Sequence, residues 1–211
     1  MYKLQQEKYI ISSCVISNNI VLKNDEEIFS AQAEEIQKFF LAVYQFLKID
    51  YPKFYKMDNL SKLGFLASEI LLQNENISHF KPAEVAIILT NANASLDADI
   101  KYFESAKDFA SPALFVYTLP NIVAGEICIR NNFKGENSFY ISEEFNAAFL
   151  EQTVSDLFKQ NIAKLCICGW VDVLREDFKA GLFLVSENKR SEALLFTKEN
   201  MDEIFKSGER K

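Results

Sequence analysis

Glu84-Val85-Ala86-Ile87-Ile88-Leu89 is an apolar run opened by one acid and rich in β-branched side chains. Such a run has no polar face to turn towards water. It reads as a strand buried on both sides, and strands of that kind belong to sheets covered by helices. The flanking segments agree. Ser30 to Ile49 sets Ile36, Phe39, Phe40, Val43, Phe46 and Leu47 on one helical face, and Asp50-Tyr51-Pro52 ends it. Asp58 is placed to cap a helix from Asn59 to about Gln73. Beyond the central run, Asn91 and Asn93 make a turn, and Ser95 caps a helix from Leu96 to about Phe109. The pattern then predicts a helix from Pro120, with Pro120 at its first position, a strand Ser138 to Ile141 and a helix Glu143 to Gln160. Next come a strand Lys164 to Cys168 stopped by Gly169, and strands Ala180 to Ser186 and Glu192 to Phe196, paired as a hairpin across Asn188-Lys189. The first strand, Tyr9 to Ile16, ends at Asn18-Asn19, and a polar tail from Lys206 is expected to fray. Strands alternating with helices, then two consecutive strands, indicate one α/β layered domain with a mixed sheet over residues 1–211.

Composition narrows the chemistry. The chain has 211 residues, a net charge of −7 and no basic run, a poor match to a phosphate backbone, so no nucleic-acid partner is expected. No stretch approaches the length and apolarity of a membrane span. Lys3, Glu7 and Lys8 precede only a short apolar run, so no signal peptide is read, and a cytoplasmic location is expected. The six glycines stand ten or more residues apart. Dinucleotide fingerprints, P-loops and GxSxG elbows need clustered glycines to bring backbone amides against a phosphate or oxyanion. One histidine, His79, excludes multi-histidine metal centres and mechanisms that need two imidazoles.

Local features have plain structural readings. Cys166 and Cys168 share a face of one strand, where core packing is the ordinary role. Asp97 and Asp99 fall in the first turn of the helix after Ser95 and suit its positive end. His79 reads as a solvated loop residue. No metal and no cofactor is expected. Gly125 interrupts a segment that otherwise reads as helix, where glycine costs about 1 kcal/mol relative to alanine, and so marks a close approach by another backbone. That makes Pro120 to Asn132 a packing element at a subunit boundary.

From Ser111 onward the order of pieces resembles the N-terminal half of beta-ketoacyl-ACP synthases. The residues that carry it are Pro120-Asn121, Ala124-Gly125-Glu126-Ile127, Phe133-Lys134-Gly135-Glu136-Asn137, the strand Ser138 to Ile141, and a strand ending Cys166-Ile167-Cys168-Gly169. The resemblance implies half of a thiolase-like fold, a layered mixed sheet with helices on both faces, in an N-terminal ketosynthase-like domain only. It also implies dimerisation through Ser138, Phe139, Tyr140 and Ile141, the strand that pairs antiparallel with its mate in that family, with Pro120, Asn121 and Gly125 nearby. An unpaired edge strand carrying Phe139, Tyr140 and Ile141 is an aggregation hazard unless covered, so the residues point the same way.

The departures from the family set the functional expectation. Counted from Gly135, the nucleophilic cysteine falls on Glu144, within one residue, with Glu143 adjacent. A carboxylate is a far weaker nucleophile than a thiolate towards a thioester. The two histidines of the family belong to its C-terminal half, and His79 matches neither. No catalytic residue is assigned. The resemblance therefore implies a non-catalytic synthase-like protein, a homodimer or the heterodimer partner of an active ketosynthase, in fatty-acid, polyketide or aryl-polyene-type biosynthesis. An acyl carrier protein is a further partner it implies, although both surfaces would be acidic. Two alternatives stay open: a small acyl-thioester enzyme with Glu144 as general base, which needs a closed apolar pocket, and an acyl-chain or carrier-binding module lined by some of the 19 phenylalanines.

Overall fold

The computed structural model describes residues 7–107 and 109–208. Lys3 and the last three residues of the polar tail lie outside the described residues. The strands are β1 (Tyr9–Ser17), β2 (Ile20–Lys23), β3 (Glu26–Ser30), β4 (Val85–Asn91), β5 (Asn137–Ile141), β6 (Leu165–Leu174), β7 (Asp177–Ser186) and β8 (Leu194–Leu195). The helices are α1 (Ile36–Phe46), α2 (Asn59–Leu72), α3 (Leu96–Ser105), α4 (Pro112–Val116), α5 (Ile122–Asn131), α6 (Ala147–Lys159) and α7 (Lys198–Ser207). The strands form one sheet in the order β3-β2-β1-β7-β6-β4-β5, with β8 beside β1. The central run is buried throughout its length in β4, which pairs parallel with both β5 and β6. β7 runs antiparallel to β6 and β1, so the sheet is mixed, as its sequence pattern implies.

Alternation along β4 divides the core. Val85, Ile87 and Leu89 face a layer of α1, α2 and α5, and Ala86 and Ile88 face α6 and α7. α2 is buried nearly all round, because it lies between the sheet, α1 and α5. Its N-terminus is capped as expected: the Asp58 carboxylate accepts from Ser61 N at 3.0 Å. Gly64, in the middle of α2, lies under α5. A Cβ there would lie 2.3 Å from the Val123 side chain. Five phenylalanines, Phe39, Phe40, Phe54, Phe65 and Phe183, are fully buried in these layers as core.

Several boundaries differ from the sequence pattern. β6 does not stop at Gly169 but runs through it to Leu174. Gly169 has φ +149°, and a Cβ there would lie 2.0 Å from the Gly181 carbonyl oxygen, so glycine here permits close strand packing instead of ending the strand. The strand near residue 194 is two residues long and pairs with β1, not with β7, because β1 and β6 already take both edges of β7. Residues 20–30 form a hairpin, β2–β3, turned by Asn24 and Asp25 at positive φ, and α1 begins only at Ile36. α3 ends at Ser105 instead of Phe109. The tail from Lys206 is not frayed at its start: Lys206 and Ser207 close α7, and Gly208 lies against Ser17 and Val15.

Burial pushes the Asp58 carboxyl above the usual carboxylate range, chiefly by desolvation, with Asp97 adding repulsion and the cap bonds opposing both. A raised folded-state pKa favours the protonated form of the fold. This contribution is therefore fully favourable below about pH 4 and is lost as pH rises through the higher folded value. Asp58→Asn keeps the capping oxygen and removes the desolvated charge. Its thermal midpoint at pH 7.5 is expected to equal or exceed the parent's, with a flatter pH dependence above pH 4. A fall of more than about 5 °C at pH 7.5, the equivalent of 1–2 kcal/mol in a chain of this size, would refute it.

Candidate functional site

The elbow between β5 and α6, residues 142–146, is where the sequence count places a nucleophile. Ser142 Oγ donates to the Glu144 carbonyl at 2.8 Å and closes the turn. α6 then starts at Ala147, four residues later than the pattern suggested, because the Asn146 side chain accepts from Phe149 N at 2.9 Å and takes the cap. Glu143 and Glu144 are left outside the helix and are both exposed. The residue that turns inward is Phe145. Its ring stacks on Phe205 of α7 with centroids 4.0 Å apart, Phe183 lies at 6.2 Å, and Lys179 Nζ sits 3.8 Å from the Phe205 ring. Phe205 in turn lies over Gly181, where a Cβ would come within 2.4 Å of the ring. The inward side of the elbow is filled with aromatic carbon.

None of the candidate nucleophiles elsewhere is brought to it. Cys14, Cys166 and Cys168 are buried in the sheet, with Cys166 and Cys168 packed beneath α6. Burial raises the Cys14, Cys128 and Cys168 thiols above their ordinary values, away from the reactive thiolate. His79 is exposed in the turn before β4, with its ring 4.1 Å from Phe80. The elbow follows the far end of β5, so the two stand at opposite ends of the parallel strands. Among the described residues, no group of three or more His, Cys, Asp or Glu side chains could hold a metal ion.

β5 is the outer strand of the sheet. Ile87 N–H donates to the Glu136 carbonyl and Ser142 N–H to Asn91, which fixes the alternation between them. Glu136, Ser138, Tyr140 and Ser142 spend their peptide groups on β4, and Asn137, Phe139 and Ile141 turn theirs outward. Phe139 is half-buried against the α2 layer, whereas Tyr140 and Ile141 are exposed. The opposite edge differs: β3 carries exposed Glu26 and Glu27 and an irregular register against β2, features that discourage pairing. Pro120 is not the first residue of α5. It lies in the preceding turn, and exposed Asn121 is the N-cap position. Gly125 faces open space, with nothing within 4 Å of a Cβ, so no backbone of this chain approaches it. On the α2 side of this contact, Gly64 makes room for the Val123 side chain, not for a backbone.

The tertiary partners of three polar groups were not indicated by sequence. Glu126 is buried, with Lys53 Nζ 2.7 Å from Oε2 and the Tyr117 hydroxyl donating to Oε1 at 3.4 Å. Asp97 is no simple helix-end charge. It accepts from Asn59 Nδ2, Lys101 Nζ and Arg175 N at 3.2, 2.6 and 3.1 Å, tying α3 to α2 and to the β6–β7 turn. Ser95 makes no cap bond but donates to the Thr118 carbonyl at 2.7 Å. These ties join elements far apart in sequence, and no local spacing could have indicated them.

Comparison with solved structures places this arrangement. The ishigamide ketosynthase/chain length factor superposes with a TM-score of 0.64 and 15% identity, over 88% of this chain and 63% of that one. The fold is ketosynthase-like. A type II polyketide synthase acyl-carrier protein in complex with its ketosynthase (AntDE:AntF) gives 0.59 and 12%, over 88% and 64%. Ketosynthase ApeO in complex with its chain length factor ApeC, from Xenorhabdus doucetiae, gives 0.55 and 12%, over 88% and 80%. This chain thus spans less than two thirds of the first two ketosynthase-type structures. No family model matches the sequence, and no curated protein matches it. The ketosynthase-like fold is recognisable in three dimensions at identities where sequence comparison is silent. Among the described residues no helix is long and apolar enough to cross a membrane.

Proposed function

We propose that this chain is a non-catalytic ketosynthase-like protein, one domain over residues 1–211, that acts in the cytoplasm. It works as a dimer or as the partner subunit of an active ketosynthase in fatty-acid, polyketide or aryl-polyene-type biosynthesis. The elbow carries this reading: where condensation needs a thiolate beside an acyl pocket, Phe145 is stacked on Phe205 and the two glutamates face water. An exposed carboxylate has no enclosure to hold a thioester beside it, so general-base chemistry at Glu144 is not favoured. The names of the neighbours support a role in assembly, since they describe ketosynthases with chain length factors and with a carrier protein. The open edge of β5 supports pairing through residues 138–141.

Purified protein incubated with malonyl-ACP and an acyl-ACP is expected to give neither condensation nor decarboxylation, as read by product mass and carbon dioxide release. Robust turnover by the isolated chain would overturn the proposal. Turnover that disappeared in Glu144→Gln would instead establish the carboxylate enzyme.

A further inference from the structure

One edge of β1 is shared by two short strands. β2 pairs with residues 14–17 and β8 with Tyr9 and Ile10, so neither covers residues 11–13, where β1 also shifts its register against β7. Asn24 closes one end of this gap. Ser13 N–H donates to Asn24 Oδ1 at 2.8 Å, and Asn24 N–H donates to the Ser13 carbonyl at 3.0 Å. The chain between β7 and β8 passes over the other end, tied down by the ion pair of Arg190 with Glu75. Here lies a cavity of about 390 Å³, within the size range of small-molecule sites. The strands β7, β6 and β4 separate it from β5.

The lining is amphiphilic. Ile10, Ile11, Leu194 and Ile204 supply apolar walls, while Asp25, Glu75 and Glu192 outnumber Arg190. Arg190 already neutralises Glu75, which leaves exposed Asp25 and Glu192 to set the sign of the site. Ser13 is the decisive residue. It is 4% exposed, on the α7 face of β1 that it shares with Ile10 and Val15. Asn24 takes its peptide groups, but its hydroxyl has no hydrogen-bond partner among the described residues. Neighbouring Ser12, on the opposite face, shows the ordinary solution and donates to the Leu71 carbonyl at 2.8 Å. Buried hydroxyls are as a rule bonded, so one left open towards a cavity marks the place of a guest's polar group.

We infer that this cavity binds a primary amine with a short alkyl body. The alkyl chain lies against Ile10, Ile11, Leu194 and Ile204. The ammonium donates to Ser13 Oγ, and Asp25 and Glu192 supply the opposite charge. A carboxylate of the same length meets those two acids and is rejected, and an alcohol forgoes their attraction. The inference goes beyond the dimer or partner-subunit reading above and does not depend on it.

Titration of the isotope-labelled full chain with n-hexylamine, 1-hexanol and hexanoate at neutral pH, followed by amide chemical shifts, tests this. Hexylamine is expected to saturate with a Kd of about 1 mM, the scale for a ligand of that size. Its shifts are expected to be confined to residues 10–13, 24–25 and 190–194, with hexanol and hexanoate weaker by about 10-fold or more. Ser13→Ala is expected to weaken hexylamine by about 10-fold, as for one lost hydrogen bond to a charged group. Glu192→Gln, at an exposed position, is expected to weaken it by about 2- to 3-fold. The dispersion of the amide spectra shows that both variants are folded. Hexanol or hexanoate binding as tightly as hexylamine overturns the ligand class. Shifts that fail to saturate, shifts spread over the whole surface, or a Kd unchanged by Ser13→Ala overturn the site.

Discussion

Gly169→Ala is expected to leave little folded protein at ambient temperature. The residue sits within β6 at φ +149°, which side chains rarely adopt, at a cost of about 1–3 kcal/mol. The added methyl would also stand 2.0 Å from the Gly181 oxygen and 3.0 Å from the Leu182 Cα. Both contacts are backbone in a ladder fixed on each side, since β6 pairs with β4 and β7, so neither side can yield. Strain and displacement together are expected to exceed about 4 kcal/mol, most of the 5–15 kcal/mol that stabilises an ordinary domain. The yield of soluble protein and its urea midpoint measure the effect. A midpoint within 1 kcal/mol of the parent would refute so close an approach. Gly125→Ala is the contrast: open space and a helical backbone predict a gain of up to about 1 kcal/mol.

Phe65→Ala is expected to cost about 3–5 kcal/mol and to lower the thermal midpoint by roughly 10 °C. Phe65 is fully buried on α2. Its ring lies parallel to Tyr51 at 5.3 Å and near Phe54 at 5.8 Å, and the Arg130 guanidinium lies 5.9 Å from its centroid. Truncation removes transfer free energy and leaves a cavity that this fixed stack cannot fill. The result bears on what the phenylalanines are for. A ring lining an empty acyl tunnel would already face a void, so its loss would cost little and the variant would keep its midpoint. The larger loss is what a packed core predicts.

Much of the architecture was legible in the sequence because it rests on local periodicity. The Val85–Leu89 run could only be a strand covered on both faces, and Asp58 marked the start of α2 through a cap bond spanning three residues. Asn18 and Asn19 at positive φ form the turn their identities suggest. The β2–β3 hairpin was missed because its strands are short and Glu26 and Glu27 belong to a guarded edge with no apolar alternation. The start of α6 was misplaced for a different reason. Glu143 and Glu144 suit a first helical turn, but Asn146 is the better cap and its bond to Phe149 decides the boundary.

The candidate site divides in the same way. Composition alone determined that this chain has one imidazole and four scattered cysteines, and the resemblance to ketosynthases, counted from Gly135, pointed to Glu143 and Glu144 in the turn after residues 138–141. The strand at 138–141 was also visible, but that β5 ends the sheet follows from pairings with residues some fifty positions away. Tertiary structure alone decided that Phe145 and not Glu144 turns inward, because the choice depends on Phe205 arriving from α7 over Gly181. It alone showed Gly125 facing open space and Gly64 making room for the Val123 side chain, and set Asp97 and Glu126 as ties between distant elements. Spacing in a sequence reports which side chains share a face of one element. Which face of another element they meet depends on contacts that close long loops, and no local pattern encodes those.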